Sequence, residues 1–145
     1  MNEHHLEILL VEDNPNDAEL ALDALRENKL ANRIDIVRDG AEALDFVFCQ
    51  GIYAVRDHPP SLILLDLKLP KVSGLEVLAR IRSDPRTLTI PVIVLTASHA
   101  ERDTFASNQL GINSYIVKPV DFEQFAAAVR QVGWYWLLLN QPPLV

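Results

Sequence analysis

Five short apolar runs alternate along the chain with longer segments whose apolar residues recur every three or four positions. The short runs have the length and composition of β-strands, and the longer segments have the one-sided pattern of amphipathic helices. This alternation predicts an α/β fold with a parallel sheet. The predicted strands are Glu7–Val11, Arg33–Val37, Leu62–Leu65, Val92–Leu95 and Tyr115–Val117. The predicted helices are Asn16–Asn28, Gly40–Cys49, Gly74–Ser83, Ala100–Leu110 and a fifth that begins near Asp121.

The strand patterns also predict positions within the sheet. Leu62–Leu65 is apolar throughout, as expected for a central strand covered on both faces, whereas Arg33–Val37 alternates and suits an edge. The segment Gln50–Pro60 is longer than the usual connection between a helix and a strand. A functional loop and a tolerated surface insertion are about equally good interpretations of it.

Composition narrows the class of protein. With 145 residues, 49% hydrophobic residues and 23% charged residues, the chain suits one folded domain. A net charge of -7 argues against nucleic acid as a direct partner. The longest apolar run, Trp134–Leu139, is far shorter than the roughly 20 residues of a membrane span. A single cysteine and the lack of a secretory signal lead us to expect a cytoplasmic protein.

Polar side chains stand where four of the apolar runs end. Glu12 and Asp13 follow the first run, Asp66 the third, Thr96 the fourth and Lys118 the fifth; these are the five candidate site residues. Each alone is an ordinary turn or cap residue. In a parallel sheet, however, the carboxyl ends of the strands share one edge, where ligands bind. We therefore expect these side chains to meet.

Such a group of carboxylates needs positive charge, because acids held close together repel each other. A hard divalent cation, Mg²⁺ (or Mn²⁺), takes about six oxygen ligands and meets this need, with Lys118 beside it. A carboxylate in these surroundings can attack phosphorus and form an aspartyl phosphate. The turn after the first strand has no glycine-rich loop to hold a nucleotide. The phosphoryl donor must therefore be recognised in another way.

Four motifs carry a family resemblance. They are Ile8–Asp13 (ILLVED), Leu62–Pro70 (LILLDLKLP) with Ser73-Gly74, Pro91–Ala97 (PVIVLTA) and Tyr115–Pro119 (YIVKP). Together they resemble a response-regulator receiver domain over Glu7–Trp136. The resemblance implies a flavodoxin-like (βα)5 fold, with a doubly wound, five-stranded parallel sheet in the order 2-1-3-4-5.

The resemblance also implies roles for individual residues. Asp66 is then the acceptor of a phosphoryl group from a histidine kinase, and Lys118 contacts that group. The implied metal ligands are Glu12, Asp13, Asp66 and the backbone carbonyl of Lys68. Thr96 and Tyr115 form a conformational switch. Lys68 and Ser98 stand at positions that vary in the family and affect the lifetime of the phosphate, while Glu12 replaces a more frequent aspartate.

Two features resemble the small regulators that pair with bacterial phytochrome histidine kinases: the Gln50–Pro60 insertion and an aromatic tail. We expect a receiver domain over residues 1–136 and a tail over 137–145. A segment that is apolar on every side must be buried, so we predict a symmetric homodimer through helix five and the tail. The alternative is a tail that folds over its own subunit. The predicted interface residues are Trp134, Tyr135, Trp136, Leu137 and Leu138.

Two rival functions are open to the same residues. An aspartate-nucleophile phosphatase resembles a pattern with a second acid two residues after the nucleophile, but Lys68 holds that position. A receiver used only as a docking surface would not need the complete set of acids, threonine and lysine. We therefore expect a switch rather than an enzyme, with self-phosphorylation and slow hydrolysis as its only chemistry.

Overall fold

The computed structural model describes residues 7–28, 33–101, 114–121 and 123–128. Its strands are β1 (Glu7–Val11), β2 (Arg33–Val37), β3 (Leu62–Asp66), β4 (Val92–Thr96) and β5 (Ser114–Val117). Its helices are α1 (Pro15–Asn28), α2 (Gly40–Val47) and α3 (Gly74–Arg82). Residues 99–101 and 123–128 are also helical. In the described part of the chain, no helix is both long and apolar enough to cross a bilayer.

All strand pairs are parallel, and the sheet order is β2-β1-β3-β4-β5. The predicted doubly wound, flavodoxin-like sheet is therefore confirmed. Successive residues of β1 point to opposite faces, so that Leu9 and Leu10 enter separate core clusters above and below the sheet. The strand order reverses between β1 and β3. In such sheets the ligand crevice lies at the carboxyl ends of the strands at this point.

Local chemistry explains three of the differences between the observed and the predicted elements. Helix α1 starts at Pro15, one residue early, because the side-chain oxygen of Asn14 accepts the Asp17 N–H at 3.0 Å as an N-cap. Strands β3 and β4 each extend one residue further, to Asp66 and Thr96, since both residues still have partners in the ladder. These two side chains therefore stand on strand ends rather than on loops.

Some predicted features lie outside the described residues. They are the segment 102–110 of helix four, the end of helix five after 128, the tail 137–145, and the predicted interface residues Trp134, Tyr135, Trp136, Leu137 and Leu138. The start of helix five is described: Asp121 accepts the Gln124 N–H at 2.7 Å, as its predicted N-cap role requires.

The long segment before β3 is fixed to α2 by specific contacts. The Tyr53 ring meets the Phe46 ring edge-on with centroids 4.9 Å apart, and the Arg56 guanidinium lies 3.9 Å from the Phe46 centroid. The Tyr53 hydroxyl donates to Glu42 at 2.6 Å; burial, and then this bond, raise the pKa of Tyr53 to about 12. The insertion is therefore an ordered part of the domain.

We expect a pH-dependent contribution to stability from His58 in this segment. Its Nδ1 lies 2.6 Å from Asp57 and its Nε2 lies 2.8 Å from Glu7 of β1, and hydrogen bonds to these acids raise the pKa of His58. The bridge therefore stabilises the fold below the ordinary pKa of about 6.5 and is lost as pH rises through the raised value. Solvent screening keeps its contribution below about 1 kcal/mol. In urea unfolding, the deficit of His58→Gln should shrink from about pH 6 to about pH 9; a constant deficit would contradict the bridge.

Candidate functional site

Three carboxylates meet at the carboxyl edge of the sheet. Glu12 and Asp13 follow β1, Asp66 ends β3, and one oxygen from each lies within 4.8 Å of the others. Glu12 is 1% exposed and Asp66 is 4% exposed, whereas Asp13 faces solvent. Neighbouring central strands thus bring together the acids that the sequence predicted to meet.

Lys118, which follows β5, reaches across β4 to this cluster. Its Nζ lies 2.9 Å from Asp66 Oδ2, 2.9 Å from Glu12 Oε1 and 3.2 Å from Asp17 Oδ2. Burial by itself would lower the pKa of Lys118, but the bonds to Glu12 and Asp66 outweigh burial and raise that pKa, so the ammonium stays charged. Sequence reasoning missed Asp17. The sequence does contain a signal that places Asp17 near the site, because a helix that starts at Asn14-Pro15 has Asp17 in its first turn at this edge.

The site is short of positive charge. The carboxylates of Glu12, Asp17 and Asp66 all contact the ammonium of Lys118, and Asp13 adds a fourth carboxylate to the cluster. Burial, and then the nearby Asp66 carboxylate, raise the pKa of Glu12 to about 7. The fold thus holds a carboxylate that is hard to ionise unless more positive charge arrives.

The donor set fits a hard divalent cation. Mg²⁺ binds oxygen ligands at about 2.1 Å, which places neighbouring ligand oxygens about 3 to 4 Å apart. Oxygens of Glu12, Asp13 and Asp66 within 4.8 Å of one another satisfy this spacing after small side-chain rotations. Glu12, Asp13 and Asp66 are therefore the residues that could hold the ion. The backbone carbonyl of Lys68 stays a predicted fourth ligand.

The loop after β3 holds Asp66 by its backbone. The Lys68 N–H donates to Asp66 Oδ1 at 3.2 Å, while the Lys68 ammonium lies 3.5 Å from Glu101 in the helical residues 99–101 that follow the loop after β4. Helix α3 starts very close to Asp66: a Cβ at Gly74 would lie 2.6 Å from the Asp66 carbonyl oxygen. Only glycine allows this approach, which explains Ser73-Gly74 in the predicted motif.

Thr96 and Tyr115, the predicted switch pair, lie on the neighbouring strands β4 and β5. Their side chains share one face of the sheet, because Thr96 pairs with Val117 and Val94 pairs with Tyr115. Thr96 is fully buried and its hydroxyl donates to the Ser98 carbonyl at 3.2 Å. The Tyr115 ring is half-buried against the core cluster. The Lys118 N–H donates to the Thr96 carbonyl at 2.7 Å, which ties both loops together.

Comparison with known proteins gives this edge of the sheet a context. A family model described as "Response regulator receiver domain" matches residues 8–130. The response regulator Rcp1 of Synechocystis sp. is 42% identical over 130 residues, which cover 90% of this chain and 88% of Rcp1.

Solved structures show the same likeness. The bacteriophytochrome response regulator RtBRR has a TM-score of 0.87 at 50% identity, covering 97% of this chain and 85% of RtBRR. The phosphorylated cyanobacterial phytochrome response regulator RcpA gives a TM-score of 0.71 at 40% identity, with 97% and 99% covered. The Mn(2+)-bound form of Rcp1 gives a TM-score of 0.70 at 39% identity, with 96% and 98% covered.

Proposed function

The chain belongs to the response regulator receiver family, and we propose that it accepts a phosphoryl group on Asp66 from a histidine kinase. Receiver domains bind Mg²⁺ at an acidic cluster, and Glu12, Asp13 and Asp66 form such a cluster here. One observation carries the proposal: the buried Asp66 carboxylate lies within the acid cluster and 2.9 Å from Lys118 Nζ.

The geometry supports transfer to a carboxylate. An Asp66 oxygen forms the new O–P bond. The bond between phosphorus and the histidine nitrogen of the kinase breaks, and its electron pair stays on that nitrogen. A carboxylate nucleophile carries its own negative charge and therefore needs no general base. The Lys118 ammonium, 2.9 Å from Asp66 Oδ2, neutralises charge on the transferring group. When bound, Mg²⁺ supplies further neutralisation at the phosphoryl oxygens.

We propose that transfer of the phosphoryl group to Asp66 changes the conformation of the protein through Thr96 and Tyr115. The Thr96 hydroxyl turns from the Ser98 carbonyl to the phosphoryl group, and Tyr115 moves inward on the same face of the sheet. Receiver domains of response regulators are generally switches rather than enzymes. For this chain we propose self-phosphorylation and slow hydrolysis as the only chemistry. A phosphatase role is not supported, because the second acid of such enzymes is replaced by Lys68, whose ammonium lies by Glu101.

The proposed partner is a phytochrome-type histidine kinase. Receiver domains of phytochrome response regulators partner with histidine kinases. The relatives RtBRR and RcpA are both described as phytochrome response regulators, and each alignment covers 97% of this chain. That coverage supports the same pairing here.

Acetyl phosphate tests the proposed function without the kinase. We expect the full-length protein to gain the mass of one phosphoryl group with Mg²⁺ or Mn²⁺, and none when EDTA removes the cation. Peptide mapping after borohydride trapping should place the group on Asp66. Labelling that persists in EDTA, or that maps to another residue, would contradict the proposal.

We also propose that the receiver domain, residues 1–136, dimerises through helix five and the tail. Trp and Tyr are common anchors of interfaces, and the segment Trp134–Leu139, which runs from the end of the predicted domain into the tail, contains two Trp and one Tyr. In sedimentation analysis, a Trp134→Ala/Leu138→Ala variant should have a dimer dissociation constant at least about tenfold higher than that of wild type. The control is Ile52→Ala, which removes an apolar side chain that is 81% exposed elsewhere. Wild-type protein that sediments as a monomer would favour the tail folding over its own subunit.

A further inference from the structure

One carboxylate outside the acidic cluster joins the two loops beside Asp66. Glu101 Oε1 accepts the Ala97 N–H at 2.9 Å, and Glu101 Oε2 lies 3.5 Å from Lys68 Nζ. Ala97 belongs to the loop after β4, and Lys68 belongs to the loop after β3. The Glu101 side chain is only 21% exposed, whereas the Lys68 side chain is 77% exposed, so the bond from the Ala97 N–H is the better protected of these two contacts. Glu101 thus fastens the β4 loop to its neighbour.

The same loop also holds the Thr96 hydroxyl. Thr96 donates to the Ser98 carbonyl at 3.2 Å, and the Ser98 hydroxyl accepts the Glu101 N–H at 3.1 Å. With the bond from Ala97 to Glu101, these contacts close a compact turn from Thr96 to Glu101. Thr96 cannot turn towards Asp66 without losing its bond to Ser98.

The position of Asp66 connects this turn to the proposed chemistry. Asp66 pairs with Leu95 in the ladder, so Thr96 and Ala97 are the next two residues of the chain at that edge. A phosphoryl group on Asp66 adds negative charge there, and this charge repels the Glu101 carboxylate. Repulsion gives a physical reason for the turn to open after phosphorylation.

We propose that Glu101 is a positioning residue that holds the β4 loop in its resting form until Asp66 is phosphorylated. This inference rests on the proposed function. In the resting form, the bond from Ala97 to Glu101 and the ion pair with Lys68 keep the Thr96 hydroxyl on Ser98. Removing the carboxylate lowers the cost of the active form and shifts the population towards it.

The test compares Glu101→Ala, Glu101→Gln and wild type during labelling by acetyl phosphate with Mg²⁺. We expect Glu101→Ala to label roughly fivefold faster, and Glu101→Gln to fall between because it keeps an acceptor but loses the charge. Glu76→Ala is the matched control, since Glu76 pairs with Arg80 at 3.8 Å on the exposed face of α3. It should label at the wild-type rate.

A second measurement separates positioning from a merely structural role. In the unphosphorylated Glu101→Ala variant, the amide NMR signal of Thr96 should lie part-way towards its position in phosphorylated wild type. Wild-type labelling combined with an unchanged rate and unshifted signal in Glu101→Ala would overturn this role and leave the proposed function standing. Absence of labelling in wild type would overturn both.

Discussion

Asp66→Asn is expected to gain no phosphoryl group and yet to unfold at a higher temperature than wild type without divalent cations. Asparagine keeps the size of the side chain and an oxygen for the Lys68 N–H, which lies 3.2 Å from Asp66 Oδ1. It removes one of the negative charges held within 4.8 Å of each other. We therefore expect repulsion among these carboxylates to destabilise the folded protein when no cation is bound.

Rough electrostatics sets the sign. At a pH above the Glu12 pKa of about 7, and with an effective dielectric of 20, two repulsions across at most 4.8 Å total at least about 7 kcal/mol, while the attraction to Lys118 at 2.9 Å is about 6 kcal/mol. The net gain on removing the charge is about 1 kcal/mol, or about 2 to 4 °C in melting temperature.

Calorimetry in EDTA and in Mg²⁺ measures this gain. Wild type should be stabilised by Mg²⁺ more than Asp66→Asn, because the variant has lost a ligand. The control is Asp23→Asn, a neutralisation on the exposed face of α1, which should leave the melting temperature and the labelling unchanged. A melting temperature for Asp66→Asn below that of wild type in EDTA would show that the bond to Lys118 outweighs the repulsion.

Much of this site was predictable from the sequence because parallel strands align their carboxyl ends. Once five apolar runs were assigned to one sheet, Glu12, Asp13, Asp66 and Lys118 had to approach one edge. Pairing in the ladder then made Asp66 and Thr96 the last residues of their strands rather than loop residues. The pattern of apolar residues does not report backbone pairing, so the sequence prediction ended β3 and β4 one residue early.

Contacts that depend on side-chain reach were not predictable. The bond from Lys118 to Asp17 joins residues that are 101 positions apart. The start of α1 places Asp17 at this edge, but nothing in the sequence shows that the Lys118 side chain reaches it. The contact of Glu101 with Ala97 depends on a turn after β4 that has no apolar signature. The same limit applies to Gln50–Pro60, whose order comes from Tyr53 and Arg56 against Phe46. Composition alone left the function of that segment open.

Lys118→Met is expected to destabilise the protein in the absence of divalent cations, and more strongly at high pH. Methionine has a similar length, but it leaves Glu12 and Asp66 without the ammonium that lies 2.9 Å from each. Loss of one partner from a buried ion pair costs about 3 to 5 kcal/mol. Protonation of Glu12, whose pKa is already about 7, offsets part of this cost at low pH.

The sign of the pH dependence follows from proton linkage. A carboxyl group whose pKa is raised in the folded state binds its proton more tightly there, so stability falls as pH rises through that pKa. Without Lys118 the pKa of Glu12 rises further, so the loss of folding stability continues to a higher pH than in wild type. Urea unfolding in EDTA should therefore show a deficit of about 2 kcal/mol near pH 6 and about 4 kcal/mol near pH 8.5.

Lys118→Arg is the matched control for this prediction, since it keeps the charge and alters only its geometry. It should recover most of the stability at both pH values, while labelling by acetyl phosphate falls because the guanidinium does not reproduce the position of Nζ. Equal stability of Lys118→Met and wild type at the higher pH would mean that Glu12 and Asp66 do not depend on Lys118 for compensation. The acid cluster would then require another source of positive charge in its resting state.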